Sequence, residues 1–287
     1  MNKEIILNIQ KQFLSSTNKR LSKTYINNNI LPIIEYIAFS KKNKFLIGGS
    51  QGIGKSTLVN ILKKNLQIFY KKKVLVLCLD DYYLTKKERV FLSKNVHPLL
   101  ITRGVPGTHD IDKLINDIKR FNNSKFPILI PIFDKLIDDR SSRIKKEISK
   151  ADILILEGWC CGASDIKSSY LLKNINKLEK NRDKNTIWRK YYNSKLKNEY
   201  SKLFNIFDKT IFLKAPSFKY ILNWRIKQEK MNKSNAKIHK KMNKKNLINF
   251  IEHYEKITKY MLKELPNQAN MVIKVDKKQN ITSFSIK

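Results

Sequence analysis

The 287-residue sequence predicts an α/β fold: a doubly wound, mostly parallel five-stranded sheet with helical insertions. Three observations predict it. Short apolar runs of strand length alternate with segments whose apolar residues recur at helical spacing. The first run, Phe45-Leu46-Ile47, feeds a glycine-rich loop that opens into a helix pattern. Two later runs end in acidic residues, at the strand ends where open parallel sheets bind ligands.

Composition narrows the class. At 41% hydrophobic the chain can bury a substantial core. No run approaches the ~18 apolar residues of a membrane span, so no membrane partner is expected. Met1 to Ile5 lacks the apolar core of a signal peptide. Cys78, Cys160 and Cys161 offer neither a disulfide framework nor metal-ligand spacing, which fits a cytoplasmic setting. The formal charge of +35 is spread along the chain, and only nine of the 59 basic residues are Arg. Lys, Asn, Ile, Tyr and Phe share A/T-rich codons. Coding bias therefore explains the charge better than polyanion binding, and nucleic acid is not expected as the main partner.

Taken in order, residues 1–43 read as a helical preamble, with Ile30, Leu31, Ile33, Ile34 and Ile37 as an apolar stripe that packs on the core. Residues 44–287 read as one domain. Its first strand is Lys44 to Ile47. Gly49-Ser50-Gln51-Gly52-Ile53-Gly54-Lys55-Ser56-Thr57 follows and contains G-x-x-x-x-G-K-[ST]. Backbone N–H groups and the positive end of a helix dipole converge on phosphate in such a loop. Lys55 can reach the β- and γ-phosphates of a nucleotide, and the Ser56 hydroxyl can ligate Mg²⁺. The helix runs to about Tyr70.

The second strand, Val74 to Leu79, is continuously apolar, as a strand covered on both faces must be. It ends in Asp80-Asp81-Tyr82-Tyr83. A carboxylate there can take the proton of an attacking hydroxyl, or it can cap a helix or support a metal ion. The stretch Arg103 to Asp110 reads as a loop before a helix carrying Ile111, Leu114, Ile115 and Ile118. Pro127 to Phe133 reads as extended, leading to Asp134 and Arg140. The third strand, Ile153 to Leu156, ends in Glu157, an acid placed to orient Mg²⁺. Residues 164–208 read as a helical insertion. Strands at Thr210 to Leu213 and Met271 to Val275 complete the sheet, with a basic helix at Tyr220 to Lys230 and a Lys/Asn-rich, mobile loop at 231–245 between them. Residues 220–245 together read as a lid. Pro266 supplies the stop of the helix that starts at Leu247.

Scarce residues add to this. A chain of this length carries ~20 glycines on average, and this one has eight. All eight fall in three stretches: Gly48 to Gly54, Gly104 to Gly107 and Gly158 to Gly162. Those loops are read as site walls. Arg is equally scarce, and its planar fork binds carboxylate and phosphate in a way Lys cannot copy. Arg103 and Arg140 suit an acidic acceptor, and Arg225 suits a lid over the phosphates.

Gly49–Ser56, Leu79-Asp80-Asp81-Tyr82-Tyr83, Arg103-Gly104-Val105-Pro106-Gly107-Thr108-His109-Asp110, Pro131-Ile132-Phe133-Asp134-Lys135 and Leu156-Glu157-Gly158-Trp159 occur in that order. Together they resemble the plant- and fungal-type D-glycerate 3-kinases and their bacterial relatives, within the group of phosphoribulokinase, uridine kinase and pantothenate kinase. The resemblance extends through Trp224-Arg225 and His253-Tyr254-Glu255. It implies a P-loop kinase fold and transfer of phosphate from Mg·ATP to a hydroxyl of a small acidic alcohol, D-glycerate first, with pantothenate, uridine or a sugar phosphate as alternative acceptors and a P-loop ATP-binding switch or nucleic-acid-associated ATPase as the alternative of another class. It implies Lys55, Asp80 and Glu157 as catalytic, with Asp80 the base, and Ser56 and Glu157 as the metal pair. Tyr83, Arg103, Thr108, His109, Asp110, Asp134 and Arg140 fall where acceptor contacts are expected, and Arg225 is the lid arginine.

Overall fold

A computed structural model describes residues 2–147, 150–234 and 244–287. Eight strands form among them: β1 (Lys44–Gly49), β2 (Val74–Cys78), β3 (Ile128–Asp134), β4 (Asp139–Glu147), β5 (Ile153–Gly158), β6 (Lys209–Lys214), β7 (Met271–Val275) and β8 (Ile281–Ile286). Six of them make the central sheet, in the order β2-β5-β1-β6-β7-β8. All neighbours are parallel except β7 and β8. The five expected strands are all present. The sixth is an added antiparallel edge, reached by a tight turn in which Asp276 accepts backbone N–H bonds from Lys278 (2.7 Å) and Asn280 (2.8 Å).

The period of two along each strand sorts the core into two faces. Leu46, Leu75, Leu77, Leu154, Leu156, Phe212 and Val272 point to one side. Phe45, Ile47, Val74, Ile153, Ile155, Ile211, Leu213, Met271 and Ile273 point to the other. Each large aliphatic side chain so buried contributes roughly 1.5–3 kcal/mol.

The second face is covered by α1 (Asn2–Thr17), α2 (Lys23–Asn29), α3 (Leu31–Ala38) and α4 (Lys55–Phe69). The stripe Ile30, Leu31, Ile33, Ile34 and Ile37 is buried there, as expected. The first face is covered by α5 (Lys86–Asn95), α6 (Ile111–Asn122) and the segment 164–208. That segment folds as α7 (Ser168–Leu172), α8 (Lys177–Arg182), α9 (Ile187–Lys195), a π-helical turn Leu196–Tyr200, and α10 (Ser201–Phe204). An ionic cluster pins it to α12 (Lys244–Gln268): Arg189 Nε lies 2.7 Å from Asp183, and Lys256 Nζ lies 3.3 Å from Glu179, with every side chain at most 2% exposed.

Three details depart from the sequence reading. β3 and β4 form a separate antiparallel hairpin beside the sheet. α12 runs two residues past Pro266. A proline this near a helix end removes one backbone bond and no more, and Ala269 N–H still reaches Leu265 O at 2.9 Å. The basic helix, α11 (Phe218–Ser234), extends two residues before and four residues beyond the expected span. Residues 235–243, where most of the mobile loop is expected, lie outside the described residues.

Candidate active site

The strand order explains why the predicted acids meet. β5 lies between β1 and β2, with Gly48 paired to Gly158 and Cys78 paired to Glu157. The carboxyl ends of these three strands therefore carry the glycine loop, Glu157 and Asp80 side by side. Gly54, at φ 106°, turns the chain into α4. Lys55 is buried and its ammonium donates to the carbonyls of Gly49 (2.7 Å) and Ser50 (3.1 Å). Ser56 Oγ donates to Glu157 Oε1 at 2.6 Å, so the two residues expected to share a metal ion touch.

Asp80 is the second residue of a 3-10 turn, Leu79–Tyr82, directly after β2. Its carboxylate accepts from the Tyr83 hydroxyl (2.7 Å) and from Lys135 Nζ (2.8 Å). Burial works against its charge. The Lys135 ammonium and the two hydrogen bonds prevail and hold the carboxyl at about 2. The Tyr83 ring packs on His109 (4.7 Å between centroids) and edge-on to Phe133 (5.0 Å).

The second glycine stretch is packed from behind. Gly104 has φ 118°, and a Cβ there would lie 2.4 Å from the Tyr254 hydroxyl. No other residue fits both the backbone and the space. Tyr254 in turn donates to Arg103 O at 2.7 Å, and Trp159 Nε1 donates to Gly104 O at 2.8 Å. The third glycine stretch thus grips the second through Trp159.

Comparisons with known proteins bear on the family and the fold. No family model matches the chain. An uncharacterized kinase of Schizosaccharomyces pombe, mug58, is 32% identical over 259 residues, covering 86% of this chain and 91% of that protein. The chain belongs to the P-loop kinases. The Bacillus subtilis pantothenate kinase is 30% identical over 122 residues, 42% of this chain and 37% of that one. Among solved structures, the YGR205w protein superposes with a TM-score of 0.71 at 24% identity, covering 98% of both chains. A D-glycerate 3-kinase from Cryptococcus neoformans superposes with a TM-score of 0.67 at 23% identity, covering 99% of this chain and 97% of that one.

Within the kinase, several expected acceptor residues turn out to brace the site from inside. Thr108 is wholly buried; its hydroxyl donates to Val105 O (2.7 Å) and accepts from Gly104 N–H (2.8 Å). Both bonds shape the loop. Asp110 caps α6 by accepting from Lys113 N–H (3.0 Å) and pairs with Arg140 (2.9 Å). Arg140 also donates to Tyr83 O (2.9 Å), so its fork clips the acceptor loop to the Asp80 turn. Asp134 accepts from Leu136 N–H (2.8 Å) and caps the hairpin turn. Arg103 pairs with Asp138 and lies over the Phe133 ring. Arg225 keeps its backbone against the glycine loop, since a Cβ on Gly52 would lie 3.7 Å from Arg225 N. Its guanidinium, however, lies over the Phe250 ring at 5.8 Å.

Sequence reasoning passed over three residues. Lys135 grips Asp80 across 55 positions of chain. Arg89, fully buried, donates to Ile101 O (2.7 Å) and to Asp138 Oδ2 (3.1 Å), and so fixes the partner of Arg103. Tyr200 bonds His109. The scarcity of Arg, applied to all nine, would have flagged Arg89.

A cavity of about 460 Å³ opens beside the glycine loop. Phe13 and Arg20 from the preamble, Thr57 of α4, and Lys278 and Asn280 of the β7–β8 turn line it.

Proposed function

We propose that this kinase transfers the γ-phosphoryl group of ATP to a hydroxyl of a small acidic alcohol, in its most specific form D-glycerate to 3-phosphoglycerate. One observation carries the reading: the Asp80 carboxylate, held by Lys135 and Tyr83, stands beside the Ser56–Glu157 pair at adjacent strand ends. An in-line transfer needs a hydroxyl orienter facing a phosphate cradle, and these two features supply both.

The residues fit the donor. Gly49 to Thr57 cradle the phosphates, and the cavity beside them accepts the adenosine. Ser56 and Glu157 are oxygen donors of the kind Mg²⁺ takes alongside phosphate and water, and would hold the ion that neutralises the β- and γ-phosphates. Lys55 releases the loop carbonyls to reach the phosphates. Arg225, one residue after Trp224 and against Gly52, swings from Phe250 toward them as the lid arginine.

On the acceptor side, the hydroxyl oxygen attacks the γ-phosphorus as the bond to the bridging oxygen breaks and ADP leaves. Asp80 accepts the hydroxyl proton. A carboxylate held at about 2 is a weak base at equilibrium. It suffices in a loose transition state, where the hydroxyl loses its proton late and orientation matters most. Lys135 and Arg103 bring two cations together here, each paired with a carboxylate, Asp80 and Asp138, and either is a partner that an acceptor carboxylate can take. The Arg103–Asp110 motif and the fold shared with a D-glycerate 3-kinase support glycerate.

ADP release screened over D-glycerate, pantothenate, uridine and pentose phosphates tests the reading. D-Glycerate is expected to stimulate release, and Asp80→Asn to abolish the stimulation. Stimulation by pantothenate alone reassigns the acceptor. Slow release that ignores every alcohol overturns the kinase reading in favour of an ATP-driven switch.

A further inference from the structure

His109 is 4% exposed and has two ring nitrogens to satisfy. Nδ1 lies 2.5 Å from the hydroxyl of Tyr200, which is itself wholly buried. That hydroxyl also accepts the Gly107 N–H at 3.1 Å. A phenol has one proton to donate. Among the described residues, His109 Nδ1 is the only acceptor within reach of it. The proton therefore points at Nδ1, and the ring's own proton sits on Nε2. Burial keeps the ring neutral by lowering its pKa to about 3, although the nearby Asp80 carboxylate opposes this.

Nε2 is buried and meets no hydrogen-bond partner among the described residues. A buried donor left unmatched is costly, and here it stands next to Tyr83, whose hydroxyl holds Asp80. Tyr200 closes the π-helical turn Leu196–Tyr200, an irregularity that re-aims side chains within a helix. Tyr191 on the same insertion adds a second tie, its hydroxyl reaching Gly107 O at 3.3 Å.

We propose that Tyr200 is a positioning residue that fixes His109 as a neutral Nε2–H donor to an oxygen of the acceptor substrate. The inference rests on the kinase reading above and deepens it. With Nδ1 bonded and Nε2 protonated, His109 has no free lone pair for the acceptor's proton, which leaves that task to Asp80. The helical insertion thereby serves specificity: it orients a donor that a carboxylate or hydroxyl oxygen satisfies and an apolar group does not.

Long-range ¹H–¹⁵N correlation spectra of the protein without substrate test the tautomer independently of turnover. The Nε2–H form is expected between pH 5 and 8, and an Nδ1–H form overturns the proposal even if D-glycerate proves a substrate. In the ADP-release assay, Tyr200→Phe is expected to raise the acceptor KM about tenfold, the worth of one neutral hydrogen bond. kcat and the KM for ATP should stay within about threefold. An unchanged acceptor KM overturns the proposal. Should Tyr200→Phe fail to fold, His109→Gln decides instead. Its amide N–H can stand at the Nε2 position and is expected to retain acceptor binding that His109→Ala loses; equal losses overturn the proposal. If no alcohol stimulates ADP release while the tautomer is as expected, the kinase reading fails, and the proposed donor fails with it because its ligand is gone.

Discussion

The two halves of the site are built on different principles. The proposed donor half is one contiguous stretch, Gly49 to Thr57, a loop of backbone that opens into a helix N-terminus. The acceptor half is assembled from the Asp80 turn, the loop 103–110, the β3–β4 hairpin and the π-helical insertion. Its polar side chains are held by one another: Asp80 by Lys135, Asp110 by Arg140, Arg103 by Asp138, His109 by Tyr200. A cradle of backbone is fixed by chain geometry and serves any nucleoside triphosphate. A cradle of braced side chains can be retuned one brace at a time, so under the proposed function substrate choice is expected to belong to that half.

Substitutions on each side break or sharpen this contrast. The largest effect is expected at Asp80. Asp80→Asn should lower kcat on the order of a thousandfold while the KM for ATP stays the same, because the base acts on the acceptor alone. Steady-state ADP release measures both, and a rise in the KM for ATP would join the halves that the structure separates. Next is the anchor of the insertion. Asp183→Ala leaves Arg189 buried beside Glu179 with its closest partner gone, which should cost about 3 kcal/mol of stability. The urea midpoint reports that loss, and acceptor binding should weaken before ATP binding does.

Lys135→Ala tests a brace. Without the ammonium, burial is left to push the Asp80 carboxyl upward. The acid limb of the kcat/KM profile for the acceptor should therefore move to higher pH, with about a tenfold loss at neutral pH. An unmoved limb would separate Lys135 from Asp80. The smallest effect is on stability against pH. His109 and His253 bind protons near 6.5 when unfolded, and only near 3 and 4 when buried in the fold. Between those values the unfolded chain holds more protons, so stability falls as pH drops from about 6.5 toward 4. The slope is at most about 1.4 kcal/mol per pH unit for each histidine. Thermal melts should show it, and His253→Gln should flatten it without touching ADP release.

Legibility followed the same divide. The five parallel strands, the glycine loop and the Ser56–Glu157 pair were readable because each depends on near neighbours in sequence or on strand order. Glycine scarcity singled out three stretches as site walls, and backbone there packs closely, as Gly104 beneath Tyr254 shows. Scarcity was less able to say what an arginine holds. Arg140 looked like a ligand for the acceptor, and its fork grips Asp110 and the Tyr83 carbonyl. Arg89 passed unnoticed because its partners are a carbonyl and a carboxylate brought in by distant loops. β8 was missed because its pattern, Ile281 to Ile286, alternates weakly on an edge exposed to water.

By itself, then, the sequence determined the fold class, the phosphate cradle and the acid at the end of each of two strands. Period, glycine and chain order are local quantities, and they act on the backbone directly. Tertiary structure alone decided which cation holds Asp80, which phenol bonds the ring of His109, and which wall closes the cavity beside the glycine loop. Those partners lie 55 and 91 positions apart, or come from opposite ends of the chain. A side chain's hydrogen-bond partner is chosen by what packing brings within 3 Å, and no local pattern in the residues encodes that distance.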